Sequence, residues 1–347
     1  MTMKTNIDSI DYSITKIDKA GEKICNTRGG EGISNELLNI INWWRRLHNG
    51  PMDDFLFEIS NIVESEKEAI VVSRLKTLES TIEKLKRNKH MKLTRIDDLG
   101  GCRMIVTNIK NAYYYSEKFK KTVKRHELIN VRNYIEEPQK TGYRSLHLIY
   151  KYKPDIYNKY PIRIEIQFRT HLQHIWATAV EVMGLMTNQN LKENEGDASI
   201  LRFFVLASSL FAIEENCPTV PNTPLSIGSI VNELQKINEE KHILDMLFSI
   251  NLALKYKDNI TGIVSNELGY YLLVLNYKAR IINILYFKPE ESIKANESYE
   301  MYEKRVSPDE RTVLVKADSM KNIQIAYQNY FLDINEFVDR MRTYLTY

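Results

Sequence analysis

The pattern of hydrophobic and polar positions changes its period near residue 100. Over residues 32–90 apolar side chains recur at helical spacing and Ser34 is a candidate N-cap, so we predict helices throughout this range. From residue 102 to residue 170 the period is mostly two, apart from a helical pattern over 109–125. Strands are therefore predicted at 102–108, 126–135, 141–150 and 160–170. This order of elements predicts an α+β domain with one mixed β-sheet flanked by helices.

The second half of the chain alternates helical and strand patterns around a proline-rich segment. Helices are predicted at 171–186 and 198–216, and the polar stretch 188–197 separates them. Residues 217–226 contain three prolines and are the best candidate for a linker. After this segment we predict helices at 228–257, a hairpin at 269–287, a helix at 289–306, a strand at 311–317 and a C-terminal helical segment. We therefore divide the chain into residues 1–215 and a small C-terminal α/β module, residues 216–347.

Two of the predicted strands carry polar side chains on one face and apolar side chains on the other. In 160–170 the polar face consists of Arg163, Glu165, Gln167 and Arg169. In 141–150 the polar face consists of Tyr143, Ser145 and His147, whereas Arg144 falls on the apolar side. We expect the two strands to pair antiparallel and to bring both polar faces onto one surface. A solvated sheet face is the alternative, but it accounts less well for Tyr, His, Ser and Gln together.

Two upstream segments carry groups that suit a phosphate and its metal ion. In "RIDDLGGCRMIV" (95–106) acidic residues precede a Gly-Gly turn, where a carboxylate can hold Mg²⁺ and glycines let a phosphate approach the backbone. In "SRLKTLESTIEKLKR" (73–87) one predicted helix face carries Lys76, Ser80, Lys84 and Arg87. A basic stripe beside two carboxylates suits a nucleoside triphosphate, although a solvated amphipathic helix is the commoner origin of such a stripe.

Composition and charge say little about the partners and the cellular location of the protein. The chain has 347 residues, of which 43% are hydrophobic, and a formal net charge of +3, which permits more than one domain and implies no particular partner. Its three cysteines are scattered, so they predict neither a disulfide framework nor a zinc site. We find no signal-peptide core and no membrane-spanning stretch. We therefore expect a cytoplasmic protein with neither a membrane nor DNA as a partner.

Three motifs in a fixed order give the chain a family resemblance. "DLGGCR", "GYRSLH" and "EIQFRT", with the basic segment upstream, make residues 40–215 resemble the synthetase domain of RelA/SpoT-type alarmone enzymes. The resemblance implies a nucleotidyltransferase-like mixed sheet and an enzyme that moves the β,γ-pyrophosphate of ATP, with Mg²⁺, onto a 3′-hydroxyl. The chain has no His-Asp dipeptide, so we expect no hydrolase domain of the kind that the long members carry.

The resemblance also implies roles for individual residues. Asp98 matches the Mg²⁺ ligand, and Glu165 looks like the second carboxylate, either a metal ligand or the base for the 3′-hydroxyl. Contacts to ATP are implied for Arg74, Lys76, Lys84 and Arg103. The implied acceptor contacts are Tyr143 as a stacking platform, His147 and Gln167 as positioning groups, and Lys140, Arg144 and Arg169 nearby.

The C-terminal module has a resemblance of its own. "TVLVKADSMKNIQIAYQNYFLDINEFVDRM" (312–341) is similar to the C-terminus of CapRel-type fused toxin–antitoxins, which is sometimes called a pseudo-zinc-finger. In that family a YxxY motif obstructs the ATP site, and Tyr327 with Tyr330 would be the autoinhibitory pair here. The alternative is that both rings are core packing in a small α/β module.

Together the two resemblances imply an autoinhibited toxin of anti-phage defence. The expected reaction is transfer of pyrophosphate from ATP to the 3′-hydroxyl of the tRNA CCA end, triggered when a phage capsid-type protein binds the C-terminal module. Arg144 stands where housekeeping synthetases commonly have Gln, and the basic run 118–125 is a candidate for holding the acceptor stem, although a solvated helix face explains it equally well. One alternative is a small alarmone synthetase that makes (p)ppGpp or (p)ppApp. Another is an inactive nucleotide-binding sensor.

Overall fold

A single mixed β-sheet runs through the protein. The computed structural model describes residues 11–27, 33–63, 69–153, 159–254, 260–262, 267–276, 279, 281–305, 310–327 and 334–346. The strands in these ranges are β1 (Ile70–Leu75), β2 (Gly100–Val106), β3 (Glu127–Asn133), β4 (Leu146–Lys151), β5 (Arg163–Thr170), β6 (Ile260–Gly262), β7 (Gly269–Asn276), β8 (Ile281–Phe287) and β9 (Glu310–Ala317). The strand order in the sheet is β3-β4-β5-β2-β1-β9-β7-β8-β6. Two neighbouring pairs, β2–β5 and β6–β8, are parallel, and the other pairs are antiparallel.

Helices cover both faces of this sheet. Within the same described ranges they are α1 (Ile14–Asn26), α2 (Asn35–Arg46), α3 (Asn49–Ile62), α4 (Leu78–Arg87), α5 (Ile109–Thr122), α6 (His171–Thr187), α7 (Ala198–Glu214), α8 (Ile227–Lys241), α9 (Ile243–Leu254), α10 (Ser292–Arg305), α11 (Met320–Ala326) and α12 (Asn335–Thr346). None of these helices combines the length and the apolar character that are needed to cross a membrane.

The alternation of side chains along the strands separates two hydrophobic cores. Leu148, Ile166 and Phe168 belong to one core, which contains residues of α3, α5 and α10. On the opposite face a second core is built mainly from α6, α7, α11 and α12, together with Val72 and Ile105. Polar side chains of β4 and β5 point towards this second face, so the sheet presents them beside α6 and α11.

The sequence predicted most of these elements, including the α+β class with one mixed sheet. The antiparallel pairing of the two polar strands is confirmed, with His147 opposite Gln167 and Ile149 opposite Glu165. β4 begins at Leu146 rather than at residue 141, because the chain turns at Gly142, whose φ of +94° belongs to the left-handed region. β5 passes directly into α6 through a capping box between Thr170 and Gln173.

The prediction that residues 32–90 are helical throughout is wrong at β1. This strand begins with the run Ile70, Val71 and Val72, whose branched side chains favour a pleated sheet. It pairs with β2 on one side and with β9 on the other, so tertiary pairing overrides the apolar spacing that resembles a helix. The same strand explains why Lys76 precedes α4 rather than lying on it.

The sheet continues across the predicted boundary between residues 215 and 216. Ser73 and Arg74 of β1 pair with Lys316 and Val315 of β9, so strands from both predicted domains belong to one sheet. The proline-rich segment 217–226 contains neither helix nor strand, as expected for a connection. The division into 1–215 and 216–347 stays a prediction, but the C-terminal part is joined to the N-terminal part by main-chain hydrogen bonds.

Candidate active site

A cleft with a volume of about 380 Å³ lies on the second face of the sheet, between α6 and the end of α11. Strands β1, β2, β4 and β5 form its floor, and their outward-facing side chains are charged or polar. Of the residues predicted to act in the site, the cleft contains Arg74, Lys76, Lys84, Asp98, Arg103, Tyr143, His147, Glu165, Gln167, Arg169 and Tyr327. The structure therefore brings together residues that are more than 250 positions apart in the chain.

Tyr143, His147 and Glu165 form a hydrogen-bonded row on the acceptor side of the cleft, in which His147 and Glu165 are buried and Tyr143 is partly buried. The Tyr143 hydroxyl lies 2.9 Å from His147 Nε2, and His147 Nδ1 lies 3.1 Å from Glu165 Oε1. Gln167 Nε2 donates to the other oxygen, Glu165 Oε2, at 2.6 Å. Glu165 is only 5% exposed, so its carboxylate is held by neighbouring groups rather than by bulk water.

These contacts keep Glu165 and His147 as an ion pair. Burial disfavours a charged imidazole, but the Tyr143 oxygen and the Glu165 carboxylate outweigh it and raise the pKa of His147 to about 9. For Glu165, burial and the charge of Asp98 act in the opposite direction from His147 and Gln167, and the net effect lowers the pKa. At neutral pH the site therefore holds an imidazolium and a carboxylate anion.

Asp98 sits at the entrance of β2 between two lysines. Lys76 Nζ lies 3.1 Å from Asp98 Oδ2, and Lys84 Nζ lies 2.7 Å from Asp98 Oδ1. Burial opposes ionisation of this carboxyl, yet the two ammonium groups hold the pKa of Asp98 well below its usual range. The ammonium groups of both lysines thus lie beside the Asp98 carboxylate, which is the arrangement expected of side chains that also bind phosphate.

Asp98 lies in the turn that precedes β2, and Glu165 lies on β5, which is the parallel neighbour of β2. Gly101 pairs with Glu165 across β2 and β5, and an added Cβ at Gly101 would lie 2.8 Å from the Glu165 carbonyl oxygen. The glycine is therefore required for close approach of the two strands. Gly101 also lines the cleft, and its role in letting a phosphate approach the backbone stays a prediction.

The donor set fits Mg²⁺ better than a metal that needs a closed protein site. In the part of the chain that the structure describes, no group of three or more His, Cys, Asp or Glu side chains is arranged to hold a metal ion. Two carboxylates are available, and Mg²⁺ is commonly bound by one or two carboxylates with substrate phosphates and water as the remaining ligands.

Tyr327 fills part of the same cleft. Its ring is 1% exposed, and the Arg103 guanidinium lies over it at 5.8 Å from the ring centre. Arg103 Nη1 also donates to the Ala326 carbonyl at 3.1 Å, and the Tyr327 hydroxyl lies 3.4 Å from the Ser73 carbonyl. Tyr327 and the main chain before it therefore contact Arg103, which is one of the side chains that the resemblance implies for binding ATP. Tyr330, the other member of the predicted pair, lies outside the described residues.

Arg144 does not reach the cleft, which corrects its prediction as an acceptor contact. The side chain is 3% exposed, and its three donor nitrogens contact the Ser208 hydroxyl at 3.1 Å and the carbonyls of Ile135 and Pro218 at 3.1 and 2.6 Å. It ties the loop before β4 to α7 and to the proline-rich segment. Lys140 is exposed beside the cleft-lining residues Gln139 and Thr141, so the structure leaves it at the rim.

The basic run 118–125 lies on the wrong side of the sheet for an acceptor bound in the cleft. Phe119 of α5 packs against Phe168 at a ring separation of 6.0 Å, in the core opposite the cleft. Lys118 donates to the Ile62 carbonyl, and Arg125 pairs with Asp54. The run is therefore a helix face and its flank, as the alternative interpretation held.

Sequence reasoning missed four charged residues that line the cleft: Arg132, Glu181, Lys192 and Glu193. Arg132 on β3 lies 3.9 Å from Glu165 and is also paired with Asp97. Glu181 and Lys192 form an ion pair beside Arg74 at the opposite wall. Each comes from an element whose face is fixed only by the tertiary fold. The sequence analysis predicted the strand 126–135 but did not single out Arg132 on it.

Comparisons with known proteins agree with the three motifs. The family described as "Region found in RelA / SpoT proteins" matches residues 73–190. GTP pyrophosphokinase YwaC of Bacillus subtilis (strain 168) is 35% identical over 116 residues, which are 30% of this chain and 53% of that protein. GTP pyrophosphokinase YjbM of the same organism is 28% identical over 127 residues, which are 35% of this chain and 59% of that protein. The chain thus spans little more than half the length of either relative.

Two solved structures are similar to about half of this chain. The crystal structure of small alarmone synthetase 1 from Bacillus subtilis, bound to its product pppGpp, has a TM-score of 0.43 and 21% identity, and the match covers 50% of this chain and 93% of that chain. Small alarmone synthetase 2 from the same organism has a TM-score of 0.44 and 24% identity, with 50% and 95% covered.

The matched segment coincides with the cleft described above. Residues 73–190 include Asp98 and Glu165, the lysines on Asp98 and the row of Tyr143 and His147. Motif order, the residues that line the cleft and the family match therefore agree. Residues 73–190 of this chain therefore match the region that is found in RelA/SpoT proteins.

Proposed function

We propose that this protein transfers pyrophosphate from ATP to the 3′-hydroxyl of an acceptor. The observation that carries the proposal is that Asp98 and Glu165 line one cleft together with the four basic side chains implied for ATP, within the segment that matches the RelA/SpoT family. These four are Arg74, Lys76, Lys84 and Arg103. Transfer of a phosphoryl or pyrophosphoryl group needs positioning and charge stabilisation more than covalent chemistry from the protein. A cleft rich in fixed charges supplies both.

The side chains divide into a donor half and an acceptor half. In the donor half, Lys76 and Lys84 bind the phosphates of ATP and hold Asp98 ionised. Mg²⁺, when bound by Asp98 and Glu165, neutralises charge on the phosphate oxygens. Arg169 is well placed for an anionic group because it is buried and its Nε has no hydrogen-bond partner among the described residues.

In the acceptor half, Glu165 and His147 act on the hydroxyl that attacks. The low pKa of Glu165 keeps its carboxylate available to accept the hydrogen bond of a 3′-hydroxyl or to bind a cation. His147 donates to Glu165 and fixes its orientation. Tyr143 offers an aromatic face on which the acceptor base stacks, which is worth about 1 to 3 kcal/mol per base.

The acceptor we propose is the CCA end of tRNA. This choice is supported by the resemblance of residues 312–341 to CapRel-type toxin–antitoxins and by the presence of Tyr327 in the cleft. A synthetase that is toxic when active needs restraint, and a ring packed on Arg103 supplies it. The buried position of Arg144 removes the argument that this residue alters acceptor specificity.

Guanine nucleotides are the second candidate acceptor. The observation in their favour is that both sequence relatives carry the name GTP pyrophosphokinase. An inactive nucleotide-binding sensor is less well supported, because a protein that only binds has less need of both Asp98 and Glu165. For the toxin we further propose that a phage capsid-type protein binds the C-terminal part and withdraws Tyr327.

The acceptor is identified by incubating the protein with ATP labelled on the γ-phosphate and offering deacylated tRNA or guanine nucleotides in turn. The Tyr327→Ala variant is assayed beside the wild type, because loss of the ring is expected to free Arg103 and to raise the rate at least tenfold. Label on tRNA alone supports the toxin. Label on nucleotides alone refutes the tRNA acceptor, and no transfer to either acceptor from either protein favours the sensor.

A further inference from the structure

A buried ion pair between α2 and α10, a helix of the C-terminal part, contacts the segment that carries Lys76. Arg45 of α2 and Glu303 of α10 are 1% and 6% exposed, and Arg45 Nη1 and Nη2 lie 2.7 and 3.1 Å from the two Glu303 oxygens. Resting on the function proposed above, we propose that this pair positions Lys76 in the donor half of the site, so that the C-terminal part is needed for activity as well as for restraint.

Arg45 holds the main chain at Lys76 itself. Its Nε and Nη2 atoms donate to the Lys76 carbonyl at 3.0 and 2.8 Å. A guanidinium is a rigid fork, so two donors on one carbonyl and two on one carboxylate fix the segment in direction as well as in distance. The Lys76 side chain leaves this segment on its way to Asp98.

Glu303 holds the same segment two residues further on. Its Oε1 atom accepts a hydrogen bond of 2.7 Å from the Leu78 N–H, at the first residue of α4. A carboxylate at a helix N-terminus satisfies a free amide and interacts favourably with the helix dipole. The Arg45–Glu303 pair therefore binds the main chain on both sides of Thr77 and fixes the first residue of α4, the helix that carries Lys84. The positions of Lys76 and Lys84, the two lysines that contact Asp98, depend on these hydrogen bonds.

A purely structural role would not require these contacts. A buried ion pair is often no more stabilising than apolar side chains of similar size, so stability alone gives little reason for it. The neighbouring pair Arg46–Glu300 offers a matched comparison, because it joins the same two helices with a contact of 3.0 Å and is more exposed. Arg45 also contacts Asn42 and Tyr299, but the contacts of the pair that reach the segment with Lys76 are those to the Lys76 carbonyl and the Leu78 amide.

The C-terminal part thus acts on the site from both faces of the sheet. Helix α10 belongs to the core with α2 and α3, on the face away from the cleft. Tyr327 follows α11 on the cleft face. Inhibition by Tyr327 and positioning of Lys76 by α10 therefore come from separate contacts. Activation of the enzyme requires that Tyr327 leaves the cleft while α10 keeps its contacts with Arg45. Removal of the whole C-terminal part is expected to abolish activity rather than to free it.

The test compares two double variants in the Tyr327→Ala background. Arg45→Met with Glu303→Leu removes the charges and the contacts to the Lys76 segment, and Arg46→Met with Glu300→Leu is the control. Both proteins are compared with Tyr327→Ala alone in KM for ATP, KM for the acceptor and thermal midpoint. We expect KM for ATP to rise at least tenfold in the Arg45/Glu303 variant, with the acceptor KM and the thermal midpoint within the range of the control. An unchanged KM for ATP overturns the proposal.

Hydrogen exchange at the Leu78 amide gives a readout that does not need activity. Exchange is expected to be at least tenfold faster in the Arg45/Glu303 variant than in the control, and equal exchange contradicts the positioning role. If Tyr327→Ala shows no transfer at all, the proposed function fails and the exchange data still decide whether the Arg45–Glu303 pair holds this segment.

Should the Arg45/Glu303 variant not fold, Glu303→Gln replaces it. The glutamine keeps an amide oxygen that can accept from the Leu78 N–H, but it lacks the charge that orients Arg45. Its KM for ATP is again expected to rise, and no rise overturns the proposal.

Discussion

The protonation state of His147 offers a test of the acceptor half that does not depend on the identity of the acceptor. Its pKa is raised from 6.5 to about 9 by the Tyr143 oxygen and the Glu165 carboxylate, against the effect of burial. The folded-state pKa lies above the unfolded one, so the contribution to stability is fully present below pH 6.5 and is lost as the pH rises through 9. One pKa unit corresponds to about 1.4 kcal/mol, so this contribution is roughly 3 kcal/mol.

The perturbation is Glu165→Gln, which keeps the shape of the side chain and removes its charge. Without the carboxylate, burial should dominate and lower the pKa of His147 towards or below 6.5. The assay is a ¹H–¹⁵N titration of the imidazole rings between pH 5 and pH 10, and His147→Asn identifies the resonance among the seven histidines. A wild-type midpoint at or below 6.5, or a midpoint that Glu165→Gln leaves unchanged, would refute the assigned ion pair.

Denaturant unfolding measures the same linkage as a free energy. The free energy of unfolding of the wild type should fall between pH 6.5 and pH 9 by roughly 3 kcal/mol more than that of His147→Asn. Other groups titrate in both proteins, so the difference between the two isolates His147. Equal losses in the two proteins would contradict the linkage.

Three further substitutions test other parts of the account. In the Tyr327→Ala background, Glu165→Gln should lower the transfer rate at least about 100-fold with little change in folding, and a fully active variant would rule out its role. Arg144→Gln should lower the free energy of unfolding by about 3 kcal/mol because it removes buried contacts to two carbonyls, and an unchanged value would return Arg144 to the list of acceptor contacts. Gly101→Ala should destabilise the protein by about 1 to 3 kcal/mol, since a Cβ at 2.8 Å from a carbonyl must separate β2 from β5, and a neutral result would contradict that packing.

The parts of the site that were predictable are those that lie on regular strands. Alternation along 160–170 assigned Glu165 to one face, and the structure places it there beside His147 of the neighbouring strand. A period of two is a property of the backbone, so it survives in any sheet that buries one face. The motifs added the order of the residues and hence the prediction that Asp98 and Glu165 belong to one site, and both line the cleft.

The parts that failed depend on contacts between distant segments. Arg144 was placed near the acceptor, but its partners Ser208 and Pro218 lie more than 60 residues later in the chain. β1 resembles the end of a helix by spacing, and only its pairing with β2 and β9 makes it a strand. A local pattern carries no information about such partners, because the energy that decides the conformation comes from elsewhere in the fold.

The products of ATP turnover test the central claim most directly. Pyrophosphate transfer releases AMP, whereas phosphoryl transfer or hydrolysis releases ADP, so the two nucleotides are quantified by chromatography after a single turnover with tRNA and guanine nucleotides both present. We predict that Tyr327→Ala releases AMP in equal amount to labelled acceptor, at a rate at least tenfold above the wild type. Release of ADP in place of AMP, or no turnover by Tyr327→Ala, would contradict it.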